Sequence, residues 1–328
     1  MAWHRPALVL AGAILALCAL PASAQTYPSK PIKILVSSSA GSFPDLTARS
    51  FGQQLSERLG QPVVVDDKTG AAGQLATDLV AKSPPDGYTL LVCTPGPVTV
   101  APHANKLPYD PLQDFTPVTL LARVATAFAA NAATPIQTFP EFLRYAKAHP
   151  GALSYSHSGN GSLMHLGGEN LKLLTGIDMV GVPYRGAVAS GTAIGSGETQ
   201  VGFADLLTLL NLRESGKVRI LAVVDPTRSP FAPDIPTAAE SGIPGYDAGG
   251  WAMLLAPART PPEIIAKLNA EAKRAFGLPE VRQVLQKGAI DPAIMSPEET
   301  AKLLRNDYEK WGKVITAAGS SSTRRSPS

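Results

Sequence analysis

The sequence predicts an α/β protein made of two successive α/β units. Short β-branched runs alternate with helical patterns along most of the chain, which is typical of parallel sheets covered by helices. Loops rich in glycine and serine follow several of these runs, and a mostly helical section closes the chain. We therefore expect two lobes, each large enough to bury a core of its own.

The N-terminus has the pattern of a cleaved secretory signal peptide. Arg5 precedes the apolar run Ala7–Leu20, and the small residues Ala22-Ser23-Ala24 follow it as a cleavage site. The run is shorter than the roughly 20 residues that a membrane-spanning helix needs. We therefore expect residues 1–24 to be removed and the mature protein to be periplasmic.

Composition and motifs exclude several classes of function. The net charge is +3 and the basic residues form no stripe, so we expect no nucleic-acid partner. Cys93 is the single cysteine left after processing, which excludes an intrachain disulfide. The sequence lacks the nucleophile elbow, the phosphate-binding loop and the H-E-x-x-H motif. We therefore expect a protein that is not an enzyme and needs no metal or cofactor.

The first unit begins with the buried strand Ile32–Val36. A helix is predicted over Asp45–Leu59 because apolar residues recur on one of its faces, and Gly60 has the position of a C-cap. The remaining elements of this unit are the strand Pro62–Val65, the helix Gly73–Lys82 and the strand Tyr88–Cys93. This order predicts parallel pairing of the three strands.

The second unit repeats the pattern. Thr138 has the position of an N-cap and Pro140 falls in the first turn, so we predict a helix over Phe139–His149. The predicted strands that follow are Leu153–Ser156, Met179–Val182, Val201–Ala204, Val218–Val224 and Trp251–Leu255. The predicted helices are Ser162–Leu174, Ala187–Gly195, Leu206–Glu214, Pro261–Phe276, Pro279–Lys287 and Pro297–Ala318.

Two loops that follow strands have the composition of anion sites. The segments 37–45 and 156–162 each place small, hydroxyl-bearing residues before a helix start. Free backbone N–H groups at a helix start favour carboxylates, and parallel sheets bind ligands at such loops. Two helix starts facing each other across a cleft could each hold one carboxylate of a dicarboxylate. The candidate ligand-binding residues of these loops are Ser38, Ser39, Gly41, Phe43, Asp45, His157, Gly159, Asn160 and Ser162.

Four more candidates follow other strands, namely Thr94, Gly96, Arg185 and Asp205. Arg185 can bind a carboxylate or form a surface ion pair. Asp205 can position an amine or hydroxyl group of the ligand, or cap the next helix. Asp45 falls in the first helical turn, where it suits the helix dipole, and it can bind the ligand or only cap the helix.

Two histidines raise the question of an enzyme. His165, one turn into the helix after the second loop, either lines the cleft or packs inside its lobe. A hydrolase or lyase would use His157 or His165 with Ser162, but the sequence contains no arrangement that would activate such a nucleophile.

The serines of the first loop can also form a plain solvated turn.

A set of short stretches runs in the order of a known family from Tyr27 to Gly319. They are Tyr27-Pro-Ser-Lys-Pro-Ile, Leu59-Gly-Gln-Pro-Val-Val-Val, Pro85-Asp-Gly-Tyr-Thr-Leu-Leu, Leu107-Pro-Tyr-Asp-Pro, Ser158-Gly-Asn-Gly-Ser, Val182-Pro-Tyr-Arg-Gly, Pro236-Thr-Ala-Ala-Glu-Ser-Gly, Leu255-Ala-Pro-Ala and Lys310-Trp-Gly-Lys-Val. With them the chain resembles the Bug-type extracytoplasmic solute receptors, the binding proteins of tripartite tricarboxylate transporters.

The resemblance implies a type II periplasmic binding protein fold, in which two α/β lobes joined by a hinge close over a ligand in the cleft between them. It implies a small carboxylate ligand, which can be an aliphatic or aromatic mono- or dicarboxylate, held by backbone groups, hydroxyls and water. It also implies delivery to the membrane permease subunits of a tripartite tricarboxylate transporter, or signalling to a sensor kinase. A monomer is the expected state of such a receptor.

The resemblance also implies a division of the chain. Residues 25–124 and 226–319 would form one lobe and residues 125–225 the other, with crossings near Leu121–Ala125 and Val224–Asp225. Residues 320–328 are serine-rich and are predicted to form a disordered tail.

The first loop departs from the family pattern, Pro-Phe-x-x-Gly-Gly-x-x-Asp. Ser37 and Ser38 replace Pro-Phe, Ser42 replaces the second glycine, and Asp45 keeps its place. Phe43 falls where a small or polar residue is usual, and its ring can stack on an aromatic carboxylate or reduce the volume of the pocket.

Overall fold

The computed structural model describes residues 27–323 and contains two β-sheets flanked by helices. The predicted signal peptide and residues 324–328 of the predicted tail lie outside this range. The last helix reaches Thr323, although we predicted disorder from residue 320. No proline interrupts its backbone hydrogen bonds before that point, so the helix can continue.

The first sheet has the strand order β11-β4-β10-β3-β1-β2. Strands β1, β2 and β3 pair in parallel, as the sequence predicted, and β10 is antiparallel to both β3 and β4. Its strands are β1 Ile32–Val36, β2 Val63–Asp67, β3 Thr89–Cys93, β4 Phe115–Val124, β10 Gly250–Pro257 and β11 Ile290–Pro292. We call this sheet and its helices the first lobe.

The second sheet has the order β7-β6-β8-β5-β9 and defines the second lobe. Strand β6 pairs in parallel with β7 and β8, while β5 is antiparallel to β8 and β9. Its strands are β5 Thr126–Asn131, β6 Leu153–His157, β7 Met179–Pro183, β8 Val201–Asp205 and β9 Val218–Val223.

The helices predicted from the sequence are all present, with differences of a few residues at their ends. Thr138 caps α4 as predicted, because its Oγ1 accepts a hydrogen bond from the Glu141 N–H at 3.3 Å. The helices are α1 Phe43–Leu59, α2 Gln74–Ala81, α3 Ala101–Ala104, α4 Phe139–Ala148, α5 Leu163–Thr175, α6 Ala187–Ser196, α7 Leu206–Glu214, α8 Pro262–Ala275, α9 Pro279–Gln286 and α10 Pro297–Thr323. Our prediction lacked α3, β4, β5 and β11.

The chain passes from the first sheet to the second at Ala125, the residue between β4 and β5. It leaves the second sheet after Val223 and enters the first sheet again at Gly250. Apolar side chains of the intervening segment, among them Ile235 and Tyr246, are buried in cores of the second lobe. We therefore propose that residues 226–249 belong to the second lobe, and that the return crossing lies at residues 248–250.

Helix α10 packs on both lobes. Leu304, near its start, is buried with residues of the first sheet. Trp311 and Val314, two turns further on, are buried in the core of the second lobe. This helix therefore connects the two lobes in addition to the two crossings of the chain.

Charged groups are buried where the chain crosses between the sheets. Arg123 Nη1 lies 3.9 Å from Asp225 Oδ1 and 3.7 Å from Asp247 Oδ2. The Thr126 N–H donates to Asp225 Oδ2 at 3.2 Å. Burial and then the charge of Asp247 raise the pKa of Asp225 to about 7, with a smaller contribution from Asp291 on β11. One arginine therefore faces several carboxylates in a poorly hydrated site.

We expect Asp225→Asn to change how stability depends on pH. Because the pKa of Asp225 is higher in the folded chain than in the unfolded chain, its contribution to stability is present below about pH 4 and is lost as pH rises through about 7. Asparagine does not ionise, so the variant does not lose this stability. The melting temperature of the variant minus that of the parent should therefore increase from about pH 5 to about pH 8.

The measurement is thermal unfolding of both proteins over that pH range. Asp234→Asn, which removes an exposed carboxylate, is the control and should show no such trend. A difference in melting temperature between Asp225→Asn and the parent that stays constant with pH would contradict the prediction.

Candidate functional site

The loops after β1, β2 and β3 meet at the end of the first sheet. A Cβ atom at Gly73 would lie 2.8 Å from the carbonyl oxygen of Ser37 and 3.3 Å from Pro97 Cγ. The backbone of Gly73 also has φ +90°, which side chains of L-residues rarely allow. Glycine at this position therefore lets the three loops approach each other.

The loop after β2 was missing from our sequence prediction. Ala71 and Ala72 both have positive φ, at 45° and 54°, between the glycines Gly70 and Gly73. Such a conformation costs about 1–3 kcal/mol at a non-glycine residue, so the surrounding contacts must hold it. The rule that selected the other loops, a strand followed by a glycine-rich segment and a helix, applies to this loop as well.

Asp45 holds the loop after β1 from inside. Its buried carboxylate accepts a hydrogen bond from the Gly41 N–H at 2.8 Å, and Oδ1 lies 2.7 Å from Arg49 Nε. Arg49 also pairs with Asp67 Oδ2 at 2.7 Å, which ties α1 to the end of β2. From these contacts we propose that Asp45 positions the loop and does not bind the ligand.

Two histidines support the loop after β6. The Gly161 N–H donates to His165 Nδ1 at 3.2 Å, which requires an unprotonated Nδ1. The two imidazole rings lie 4.5 Å apart, and His157 is only 1% exposed. Burial and the nearby His165 lower the pKa of His157 to about 4, and burial lowers the pKa of His165. We therefore propose that His157 supports the loop, while the half-buried His165 contacts it from α5.

The other residues of this loop have different positions. Ser162 caps α5, since its Oγ accepts from the His165 N–H at 3.2 Å, and Asn160 is exposed at the loop tip. The Tyr184 N–H donates to the His157 carbonyl at 2.9 Å, so the loops after β6 and β7 are neighbours. Arg185 is exposed in the second of these loops and forms no ion pair within residues 27–323.

A pocket of about 410 Å³ lies between the lobes, next to Ala125. The first lobe provides the start of α1 and residues 288–290, and the second lobe provides α6 and the start of α7. The lining residues are Gly41, Phe43, Leu46, Val124, Ala125, Val188, Asp205, Leu207, Thr208, Gly288, Ala289 and Ile290. Its volume is within the range of small-molecule sites.

The structure thus brings three predicted site residues into one pocket, namely Gly41, Phe43 and Asp205. The predicted residues that do not line it are Ser38, Ser39, Asp45, Thr94, Gly96, His157, Gly159, Asn160, Ser162 and Arg185. Sequence reasoning missed Leu46, Val188 and Leu207. Each of these residues is exposed on a helix surface. That they share one pocket becomes visible only when the lobes are placed together.

Two helix starts reach this pocket without side-chain caps. Ser42 at the start of α1 and Asp205 at the start of α7 make no capping hydrogen bond with their side chains. The side chain of Asp205 therefore does not cap α7, which excludes the capping alternative. Backbone N–H groups at uncapped helix starts favour an anionic ligand group. Burial raises the pKa of Asp205 above that of a free carboxyl group.

Residues 27–323 show no membrane span, no metal site and no reactive thiol. No helix in this range is long and apolar enough to cross a membrane. The same residues contain no group of three or more His, Cys, Asp or Glu side chains that could hold a metal ion. Cys93 is fully buried, which raises the pKa of its thiol and makes it unreactive.

Comparison with known proteins gives consistent matches over nearly the whole chain. Residues 47–320 match the Tripartite tricarboxylate transporter family receptor. Protein BugT of Bordetella pertussis (strain Tohama I) is 32% identical over 303 residues, which cover 92% of this chain and 93% of BugT.

Two solved structures are informative. An R. palustris protein with adipate is 32% identical, covers 89% of this chain and 98% of its own, and has a TM-score of 0.70. A TctC solute-binding protein from Polaromonas with no ligand is 26% identical, covers 89% of this chain and 100% of its own, and has a TM-score of 0.82. These similarities confirm the predicted type II periplasmic binding fold with two α/β lobes.

Proposed function

The chain belongs to the tripartite tricarboxylate transporter receptor family, and from this premise we propose that it captures a small carboxylate between its lobes for the permease of such a transporter. The family consists of solute-binding receptors, which are not enzymes. The observation that carries the proposal is the pocket between the lobes with two uncapped helix starts in its walls. We also propose that the chain is exported to the periplasm by cleavage after Ala24.

Backbone groups would bind the carboxylate. The first turns of α1 and α7 present N–H groups at Phe43, Leu207 and Thr208, and each helix dipole adds partial positive charge. No lysine, arginine or histidine is among the described residues that line the pocket. The binding of adipate by the R. palustris relative supports a carboxylate ligand.

Binding would act through the angle between the lobes. The walls of the pocket come from different lobes, so a ligand that contacts both walls favours the closed arrangement. The chain superposes better on the ligand-free Polaromonas protein than on the adipate complex, although its identity to the latter is higher.

A thermal-shift screen of the mature protein tests this function. The panel contains aliphatic dicarboxylates, citrate, acidic amino acids and aromatic carboxylates. A ligand at about 100 times its dissociation constant adds about 2.7 kcal/mol, which should raise the melting temperature by several degrees. The absence of a shift with every carboxylate, even after unfolding and refolding to release trapped ligand, would reject the proposal.

The same screen can test the loop residues that do not line the pocket. Arg185→Ala and the double substitution Ser38→Ala/Ser39→Ala should weaken binding if these side chains reach the ligand when the lobes close. Arg185 and Ser39 are exposed and Ser38 is half-buried, so neither change should alter the free energy of unfolding of the free protein by more than about 0.5 kcal/mol.

A further inference from the structure

Apolar side chains from both lobes are exposed in the pocket. Leu46 of α1 is 36% exposed, Leu207 of α7 is 44% exposed and Val188 of α6 is 65% exposed. A single exposed apolar side chain needs no explanation, but three that face one cavity from three helices form a patch. Apolar walls with few polar groups are typical of small-molecule sites.

Phe43 extends this apolar surface. Its side chain is half-buried and packs partly against the core of the first lobe, so its ring is held in place. An aromatic ring in a pocket wall favours stacked or edge-to-face contact with another ring. Phe43 and Leu46 thus form one apolar wall, and Val188 and Leu207 form the other.

Asp205 is the one ionisable side chain among the described residues that line the pocket. It is half-buried and makes no side-chain hydrogen bond to the helix that it precedes. A carboxylate in such a position gains from a hydrogen-bond donor and repels a second carboxylate. The raised pKa of Asp205 agrees with the lack of a donor from the protein.

Resting on the proposed function, we propose that the ligand is an aromatic monocarboxylate that carries a hydroxyl or amino group. The ring lies between the two apolar walls, and the hydroxyl or amino group donates a hydrogen bond to Asp205. The ligand carboxylate binds at the uncapped start of α1, away from Asp205. A dicarboxylate fits less well, because its second carboxylate would face Asp205 with no cation in the walls to offset the repulsion.

Titration calorimetry of the mature protein with hydroxybenzoate isomers, aminobenzoate, benzoate, adipate and malate tests this proposal. At least one hydroxy- or aminobenzoate should bind about tenfold or more tightly than benzoate, adipate and malate. A site that reads a hydroxyl group discriminates in this way because the analogue without it leaves a buried polar group unpaired.

Variants with matched controls test the assigned residues. Asp205→Ala should remove most of the preference for hydroxybenzoate or aminobenzoate over benzoate. Glu214→Ala, which removes an exposed carboxylate at the other end of α7, should keep it. Leu207→Ser should weaken binding of all the aromatic ligands about tenfold. Leu174→Ser, which changes an exposed leucine outside the pocket, should not.

The outcomes separate this proposal from the function on which it rests. If adipate or malate binds most tightly and Leu207→Ser leaves that affinity unchanged, the aromatic ligand is rejected and the carboxylate receptor stands. Equal affinity for benzoate and for its hydroxy and amino derivatives also overturns the role of Asp205. If no carboxylate on the panel binds, both proposals fail.

Discussion

Gly249→Ala is expected to destabilise the protein by about 3 kcal/mol. A Cβ atom at this position would lie 2.7 Å from Cγ of Asp225 and still closer to its Oδ1. Asp225 cannot move away easily, because its Oδ2 accepts the Thr126 N–H and its Oδ1 faces Arg123. Since all of these residues lie at the two crossings between the lobes, the variant should also bind ligand more weakly. Chemical denaturation gives the free energy of unfolding directly.

A double substitution provides the control. Asp225→Ala removes the group that the new methyl group would meet, so Gly249→Ala/Asp225→Ala should be more stable than the sum of the two single effects predicts. The coupling should be about 1 kcal/mol or more, as found for residues in contact. Additive effects would show that the strain at Gly249 has another source.

Gly73→Ala is expected to weaken ligand binding by about tenfold or more. The added methyl group would lie 2.8 Å from the Ser37 carbonyl oxygen, which belongs to the backbone at the end of β1. Relief of this contact must displace the loop that leads to Gly41 and Phe43 in the pocket wall. The affinity for the carboxylate that gives the largest thermal shift, measured by calorimetry, is the readout.

Gly60→Ala is the matched control for this change. Gly60 ends α1 with φ +65°, and a Cβ atom there would have no neighbour within 4 Å. Both variants therefore carry the cost of positive φ at alanine, about 1 kcal/mol, but Gly73→Ala alone adds the backbone contact. Equal affinities of the two variants would contradict the prediction for Gly73.

The pocket lies next to the residues where the chain crosses from the first sheet to the second. Ala125 and Val124 line the pocket, and Arg123 directly before them faces Asp225 and Asp247. A change in the lobe angle must alter the backbone at Ala125, the residue between the two sheets. The charged cluster is therefore next to the backbone that would change when the lobes close over a ligand.

Local patterns were sufficient to predict most strands and helices. Thr138 and Gly60 mark helix ends because the backbone groups that they satisfy lie within one turn. The alternation of strand and helix predicted the parallel pairing of β1 with β2 and β3. The family stretches, spread from Tyr27 to Gly319, were sufficient to predict the receptor family and the two-lobed fold.

The strands at the crossing needed the tertiary structure. Strand β4 pairs with β10 and β11, whose residues lie more than a hundred positions later, and β5 pairs with β8 and β9. No short-range spacing reports such partners. The same holds for residues 226–249, whose buried side chains reveal their lobe only through what they contact.

The sequence by itself determined which loops can present backbone N–H groups to an anion, because a strand, a glycine-rich turn and a helix start are neighbours along the chain. Only the tertiary structure decided which side chains of those loops reach the pocket. Asp45 turns inward to hold its own loop, whereas Asp205 remains unpaired in the pocket wall. Leu46, Val188 and Leu207 line one cavity because the fold places three separate helices around it. Such contacts depend on distances in space, which the order of residues in a loop does not contain.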